Sequence, residues 1–124
     1  MEKYTYEQLL EIIAELRSDH GCPWDRAQTH ESMIRCLYDE CDEVVEAIKN
    51  KDDENLCEEL GDVLLQVLLH AQIAKEKGRF DMSDVIDGIS RKRKKNANKI
   101  IKIFLNSLTN TGKKAITEVS MLHA

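Results

Sequence analysis

Hydrophobic and polar positions follow a helical period along most of the chain. Leu9, Leu10, Ile12, Ile13 and Leu16 make one apolar stripe. The "TYEQ" before it predicts a capping box, in which Thr5 and Gln8 satisfy each other's free amides. "SDHGCPWDRAQ" interrupts the pattern, because Gly21 and Pro23 disfavour continuation, so Trp24 is expected in an irregular segment. Thr29 is predicted to cap a second helix, whose Ile34, Leu37, Cys41, Val44 and Ile48 recur at 3-4-3-4 spacing. "NKDDEN" reads as a turn, with Asp52 or Asp53 capping a third helix that runs to about Lys77 and stops at Gly78. The stretch "VLLQVLLHAQIA" within it is apolar almost all round. A helix of that kind is buried on several sides, more than 124 residues readily supply, so an oligomer is expected. "RFDMSDVIDGI" opens a fourth helix, capped by Asp81 or Ser83 and carrying Val85, Ile86 and Ile89. Beyond it the pattern weakens: "IIKIFLNSL" suits a further turn or two, and "TNTGKK" a loop.

No run alternates with period two for long, which argues against a sheet. The expected fold is therefore all-α: an antiparallel bundle of four to five helices in one domain, oligomerising through its apolar central helix. "MEKYTYEQLL" has neither the basic start nor the apolar block of a secretory signal. Apolar runs also fall short of the ~18 residues that suggest a membrane span. No membrane association is expected, and the cytoplasm is the expected location. Cys22, Cys36, Cys41 and Cys57 contain no C-x-x-C pair; with three of them in apolar helical patterns, they read as small buried thiols in a reducing compartment. His20, His30, His70 and His123 are too scattered to suggest zinc. His70 reads as a satisfied core histidine, and Gln28 and His30 as surface residues near a cap.

The formal net charge of −5 conceals a division. Residues 1–90 hold 22 acidic against nine basic side chains, whereas residues 91–124 hold one against nine. The acidic body argues against a general grip on nucleic acid, and only the basic tail leaves a local one open.

The acidic residues are the candidate chemistry. Glu40 and Glu43 lie three apart on the second helix, and Glu59 and Asp62 three apart on the third, so each pair occupies one helix face. A short turn makes the two helices antiparallel. Residue 51 is the midpoint of both 43 and 59 and of 40 and 62, so the pairs face each other at matching heights. Four carboxylates should converge at the edge of the core. Left alone, a close like-charge pair repels by about 1 kcal/mol in water and about 4 kcal/mol at a protein surface. A hard divalent cation removes the conflict, and Mg2+, with oxygen ligands completed by water and substrate phosphate, fits best; Mn2+ is a possible substitute. Other metal chemistries fail specific tests: there is no Glu-x-x-His, no H-E-x-x-H and no EF-hand loop. Glycine-rich phosphate loops are absent too, so a nucleotide would be held through its metal.

The segments "GCPWDRAQTHESM", "DECDEVVEAI", "EELGDVLLQVLLHAQIA" and "GRFDMSDVIDGI" closely resemble the MazG nucleoside triphosphate pyrophosphohydrolases over roughly residues 6–92. The resemblance implies an all-α, Mg2+-using hydrolase of nucleoside triphosphates, assembled as a homodimer or homotetramer. It matches Glu40, Glu43, Glu59 and Asp62 to metal ligands, with Glu43 also able to take the proton of the attacking water. It further suggests base stacking for Trp24 and phosphate contacts for Lys92 and Lys95. Two departures stand out. Asp39 replaces the first acid of the family's E-E-x-x-E, and "RKRKKNANKIIKIFLN" replaces its usual continuation. Residues 1–92 are accordingly read as the MazG-like domain and 93–124 as an atypical basic tail with room for some helix. The contrasting expectation is a degenerate, non-catalytic module that serves helical assembly.

Overall fold

Five α-helices and one 3-10 turn follow one another in the computed structural model, which describes residues 2–109. They are α1 (Tyr6–Leu16), α2 (Pro23–Ala27), the 3-10 turn (Glu31–Met33), α3 (Ile34–Lys49), α4 (Asp53–Glu76) and α5 (Met82–Ser107). The described residues contain no strand, in keeping with the all-α expectation. None of their helices is long and apolar enough to cross a membrane. The chain divides into two units between Met82 and Ser83.

In the first unit, α1 opens with the capping box expected of it. The Thr5 amide donates to Gln8 Oε1 at 2.8 Å, and the Gln8 amide to Thr5 Oγ1 at 3.2 Å. The chain then folds back tightly against the end of α1, with the Cys22 amide donating to the Leu16 carbonyl at 2.9 Å. A Cβ on Gly21 would collide with the carbonyls of Glu15 and Leu16, so this return demands glycine. Pro23 does not break structure there. It takes the first position of α2, where its missing N–H costs nothing, so Trp24 lies on a short helix rather than in an irregular segment. Thr29 caps the 3-10 turn before α3: its hydroxyl accepts from the Ser32 amide while Ser32 Oγ accepts from the Thr29 amide.

The reversal between α3 and α4 takes very few residues. Lys51 sits at φ 53°, and two hydrogen bonds close the end of α3: Lys51 N to Ile48 O at 3.1 Å and Asp52 N to Ala47 O at 3.2 Å. Asp52 then caps α4 by accepting from the Asn55 amide at 3.1 Å. Gly78, at φ 66°, ends α4 in the same manner, with Gly78 N to Lys75 O and Arg79 N to Ala74 O both at 3.0 Å.

Ile13, Met33, Leu68 and Leu69 form the core, with Leu9, Leu10, Cys36, Leu65 and Met82 packed around them. The second half of α4 is buried nearly all round, through Gln66, Leu68, Leu69, Ala71, Ile73 and Ala74. Its first half is not, for Leu60 and Leu64 are exposed. The apolar stripe expected to seat α3 in the core needs correction as well. Ile34, Leu37, Cys41 and Ile48 are exposed, and it is Cys36, Glu40, Val44 and Ala47 that turn inward. Helix α3 has two apolar faces, and the smaller side chains let α3 and α4 approach closely. The buried-thiol expectation fails with it: Cys41 and Cys57 are exposed, and Cys22 and Cys36 half-buried.

The second unit is helix α5 from Ser83 onward. It is continuous to Ser107, so "IIKIFLNSL" supplies about two further turns, as expected, and they continue the fourth helix without a break. Nearly all of the predicted "TNTGKK" loop lies outside the described residues.

Candidate metal centre and substrate site

The antiparallel hairpin of α3 and α4 brings the two acidic pairs together. One ligand oxygen from each of Glu40, Glu43, Glu59 and Asp62 lies within 4.8 Å of all the others. Glu43 is exposed and the other three are half-buried, so the cluster sits at the margin of the first unit with one side open. Glu40 Oε2 and Glu59 Oε2 are buried without a hydrogen-bond partner. A buried carboxylate oxygen left in that state is costly.

The electrostatics show the same conflict. A hydrogen bond with Glu43, partial burial, and the charges of Glu43, Asp62 and Glu40 push the Glu59 carboxyl up to about 7. Two carboxyl groups share a hydrogen bond only when one of them holds a proton. Burial, followed by the charges of Glu43 and Asp62, also raises Glu40 above the usual carboxylate range. The residues present fit a divalent cation: four hard oxygen donors close together, two of the side chains keeping an unpartnered oxygen, in a group where hydrogen bonding, burial and crowded charge all favour retained protons. Asp39 stands apart from the four and pairs with Arg35 at 3.1 Å on the exposed side of α3.

Trp24 is 60% exposed on α2 and is not pinned in the core. What secures its segment is Arg17, which the sequence pattern did not single out. Arg17 is buried; its Nη1 donates to the carbonyls of Asp25 at 2.6 Å and Gln28 at 3.1 Å. Its Nε and Nη2 fork onto the two oxygens of Glu76 at 2.9 and 3.0 Å. The guanidinium in turn holds the Glu76 carboxyl below its ordinary range. A buried arginine cannot be told from a surface one by its spacing, so no sequence signal marked it. Lys92 and Lys95 are exposed on α5, in the second unit.

Two histidines read separately from the sequence prove to be partners. His30 Nδ1 and His70 Nδ1 are 2.7 Å apart, with the rings nearly parallel. Arg79 Nη2 meets His30 Nε2 at 2.6 Å. His30 is thus not an isolated surface residue, and His70 is not fully satisfied, because its Nε2 is buried without a partner.

Comparison with known proteins identifies relatives of this chain. The model of the MazG nucleotide pyrophosphohydrolase domain matches residues 28–101. The chain is 54% identical over 87 residues to the Thermotoga maritima nucleoside triphosphate pyrophosphohydrolase/pyrophosphatase MazG, covering 70% of this chain and 34% of that protein. It is 44% identical over 87 residues to the Escherichia coli nucleoside triphosphate pyrophosphohydrolase, covering 69% and 33%. An uncharacterized Bacillus subtilis protein is 52% identical over 94 residues, covering 73% and 19%. The chain thus spans between a fifth and a third of the length of these relatives.

Proposed function

This chain belongs to the MazG nucleotide pyrophosphohydrolase domain family, and on that premise we propose that it hydrolyses nucleoside triphosphates to nucleoside monophosphate and pyrophosphate in a Mg2+-dependent reaction. The observation that supports this most is the convergence of four carboxylate oxygens within 4.8 Å, two of the side chains keeping a buried, unpartnered oxygen. Glu40, Glu43, Glu59 and Asp62 would hold the metal. When bound, Mg2+ or Mn2+ neutralises phosphate charge and lowers the pKa of water.

The chain's own residues then have distinct tasks. Glu43, the exposed member of the four, accepts the proton of the attacking water. Glu59 must give up the proton that its hydrogen bond with Glu43, burial and neighbouring charge let it hold, so the site is competent above the range in which Glu59 titrates. The open indole face of Trp24 stacks on the base. Lys92 and Lys95 balance the charge of the departing pyrophosphate.

Residues 1–92 form the enzymatic domain in this reading, and 93–124 the basic tail. Assembly as a homodimer or homotetramer would cover the exposed Ile34, Leu37 and Ile48 of α3 with Leu60, Leu64 and Val67 of α4. The unpaired cysteines and a nucleotide substrate suit the cytoplasm. One observation favours a second reading, a non-catalytic assembly module: the basic segment after residue 92 departs from the family pattern. A phosphate-release assay across the common NTPs and dNTPs separates the two. Hydrolysis is expected only with Mg2+, and phosphate signal only when inorganic pyrophosphatase is added. No pyrophosphate from any nucleotide, with metal binding intact, would favour the module.

A further inference from the structure

Among the described residues, three of the four buried side-chain atoms without a partner lie on one helix: Glu59 Oε2, Gln66 Oε1 and His70 Nε2, all on α4. At about 100° per residue, Glu59, Asp62, Gln66 and His70 fall within roughly 80° of arc, forming one polar strip along the helix. Gln66 and His70 stand roughly 6 and 12 Å along the axis from Asp62. The strip therefore leads away from the acidic cluster into the largely buried second half of α4. Gln66 is only 5% exposed.

The bonding around His70 fixes what its free nitrogen offers. A guanidinium only donates, so His30 Nε2, 2.6 Å from Arg79 Nη2, must be an acceptor. Neutral His30 then carries its proton on Nδ1 and donates it to His70 Nδ1 at 2.7 Å. His70, accepting at Nδ1, carries its own proton on Nε2. Burial disfavours a second proton on the His70 ring. The relay Arg79–His30–His70 ends in an N–H donor that has nothing to donate to, and one turn away Gln66 Oε1 is an acceptor with nothing to accept.

A phosphate offers only acceptors and would be repelled by Gln66 Oε1. A neutral group that both accepts and donates satisfies the pair, and a nucleoside has two of these: the sugar hydroxyls and the base edge. We infer that Gln66 Oε1 and His70 Nε2–H bind the nucleoside half of the substrate beside the acidic cluster, with Arg79 and His30 as positioning residues that fix the tautomer of His70. This rests on the hydrolase reading proposed above.

Two measurements on the full chain test it. In the first, the nitrogen-15 signal of the His70 ring is followed in the metal-free wild-type protein. It should show an Nε2–H tautomer and shift on addition of nucleoside monophosphate, but not of orthophosphate or pyrophosphate. In the second, Gln66→Met and His70→Gln are compared with wild type in nucleotide hydrolysis. Gln66→Met should raise KM at least tenfold with kcat within about twofold, and leave inhibition by inorganic tripolyphosphate unchanged. His70→Gln, which keeps a donor, should lose less than His70→Leu. If the base is the partner, Gln66→Met flattens discrimination among bases; if the sugar, it flattens that between ribo- and deoxynucleotides. Either result supports the inference. An unmoved His70 signal together with unchanged KM for every nucleotide would overturn it and leave an internal water as the only partner of the pair. A wild-type protein that hydrolyses nothing would defeat the hydrolase reading, while the His70 signal would still report on nucleoside binding.

Discussion

Glu43 of α3 and Glu59 of α4 share a hydrogen bond across the antiparallel hairpin, and with it Glu59 titrates near 7 rather than near 4.5. The folded chain thus holds this proton more tightly than the unfolded one. Its stabilisation is complete below about 4.5, declines as pH rises, and is gone above about 7. Urea unfolding of the metal-free protein should show this loss between pH 5 and pH 7.5, over and above what other groups contribute. Glu59→Gln, which carries a hydrogen without a charge, should remove that part of the slope.

The same proton competes with the metal. Apparent Mg2+ affinity should rise with pH up to about 7 and level off above it, as Glu59 ionises. Affinity measured by calorimetry between pH 6 and pH 8.5 checks the trend. A flat profile would remove Glu59 from the site.

Replacing Glu43 or Asp62 by Ala should reduce pyrophosphate release by at least 100-fold while the far-ultraviolet circular dichroism stays helical. The metal-free variants should also unfold at a higher temperature than wild type, because each substitution relieves repulsion among four crowded carboxylates. Undiminished turnover would displace these residues from the centre.

Arg17 joins α1, the α2 segment and α4 through four hydrogen bonds. Arg17→Met should cost about 2–3 kcal/mol, below the figure for a fully buried pair because Glu76 is partly open to solvent. Chemical denaturation measures the cost. A rise in KM beyond that of a stability-matched core variant would show that Trp24 needs this anchor for substrate.

Lys51 occupies the left-handed region at φ 53°, where a Cβ is strained. Lys51→Gly should therefore stabilise the hairpin by about 0.5–1 kcal/mol without touching the acids. Differential scanning calorimetry reads the shift.

The acidic centre was legible because its geometry depends on only two quantities, the helical period and the position of one turn. Glu40, Glu43, Glu59 and Asp62 needed nothing else to be placed opposite one another. The core-facing side of α3 was harder, since periodicity finds an apolar stripe but cannot choose between two. Ile34, Leu37 and Ile48 gave the stronger signal, yet Cys36, Val44 and Ala47 have the size that close helix contact requires. The continuity of α5 was less legible, because its apolar stripe fades among lysines. Lysine, arginine and alanine are nonetheless good helix formers, and no glycine or proline lies between Ile89 and Ser107. The His30–His70 pair had no signature, being a contact between residues 40 apart with no period to betray it.

The most direct test is a titration of Mg2+, with Mn2+ in parallel, into the purified chain at pH 8, followed by calorimetry and thermal unfolding. Saturable heat and a rise in Tm are expected, both abolished in Asp62→Ala and both enhanced when nucleotide is present. Neither heat nor any gain in Tm, with nucleotide or without it, would show that the four carboxylates meet for some reason other than a metal.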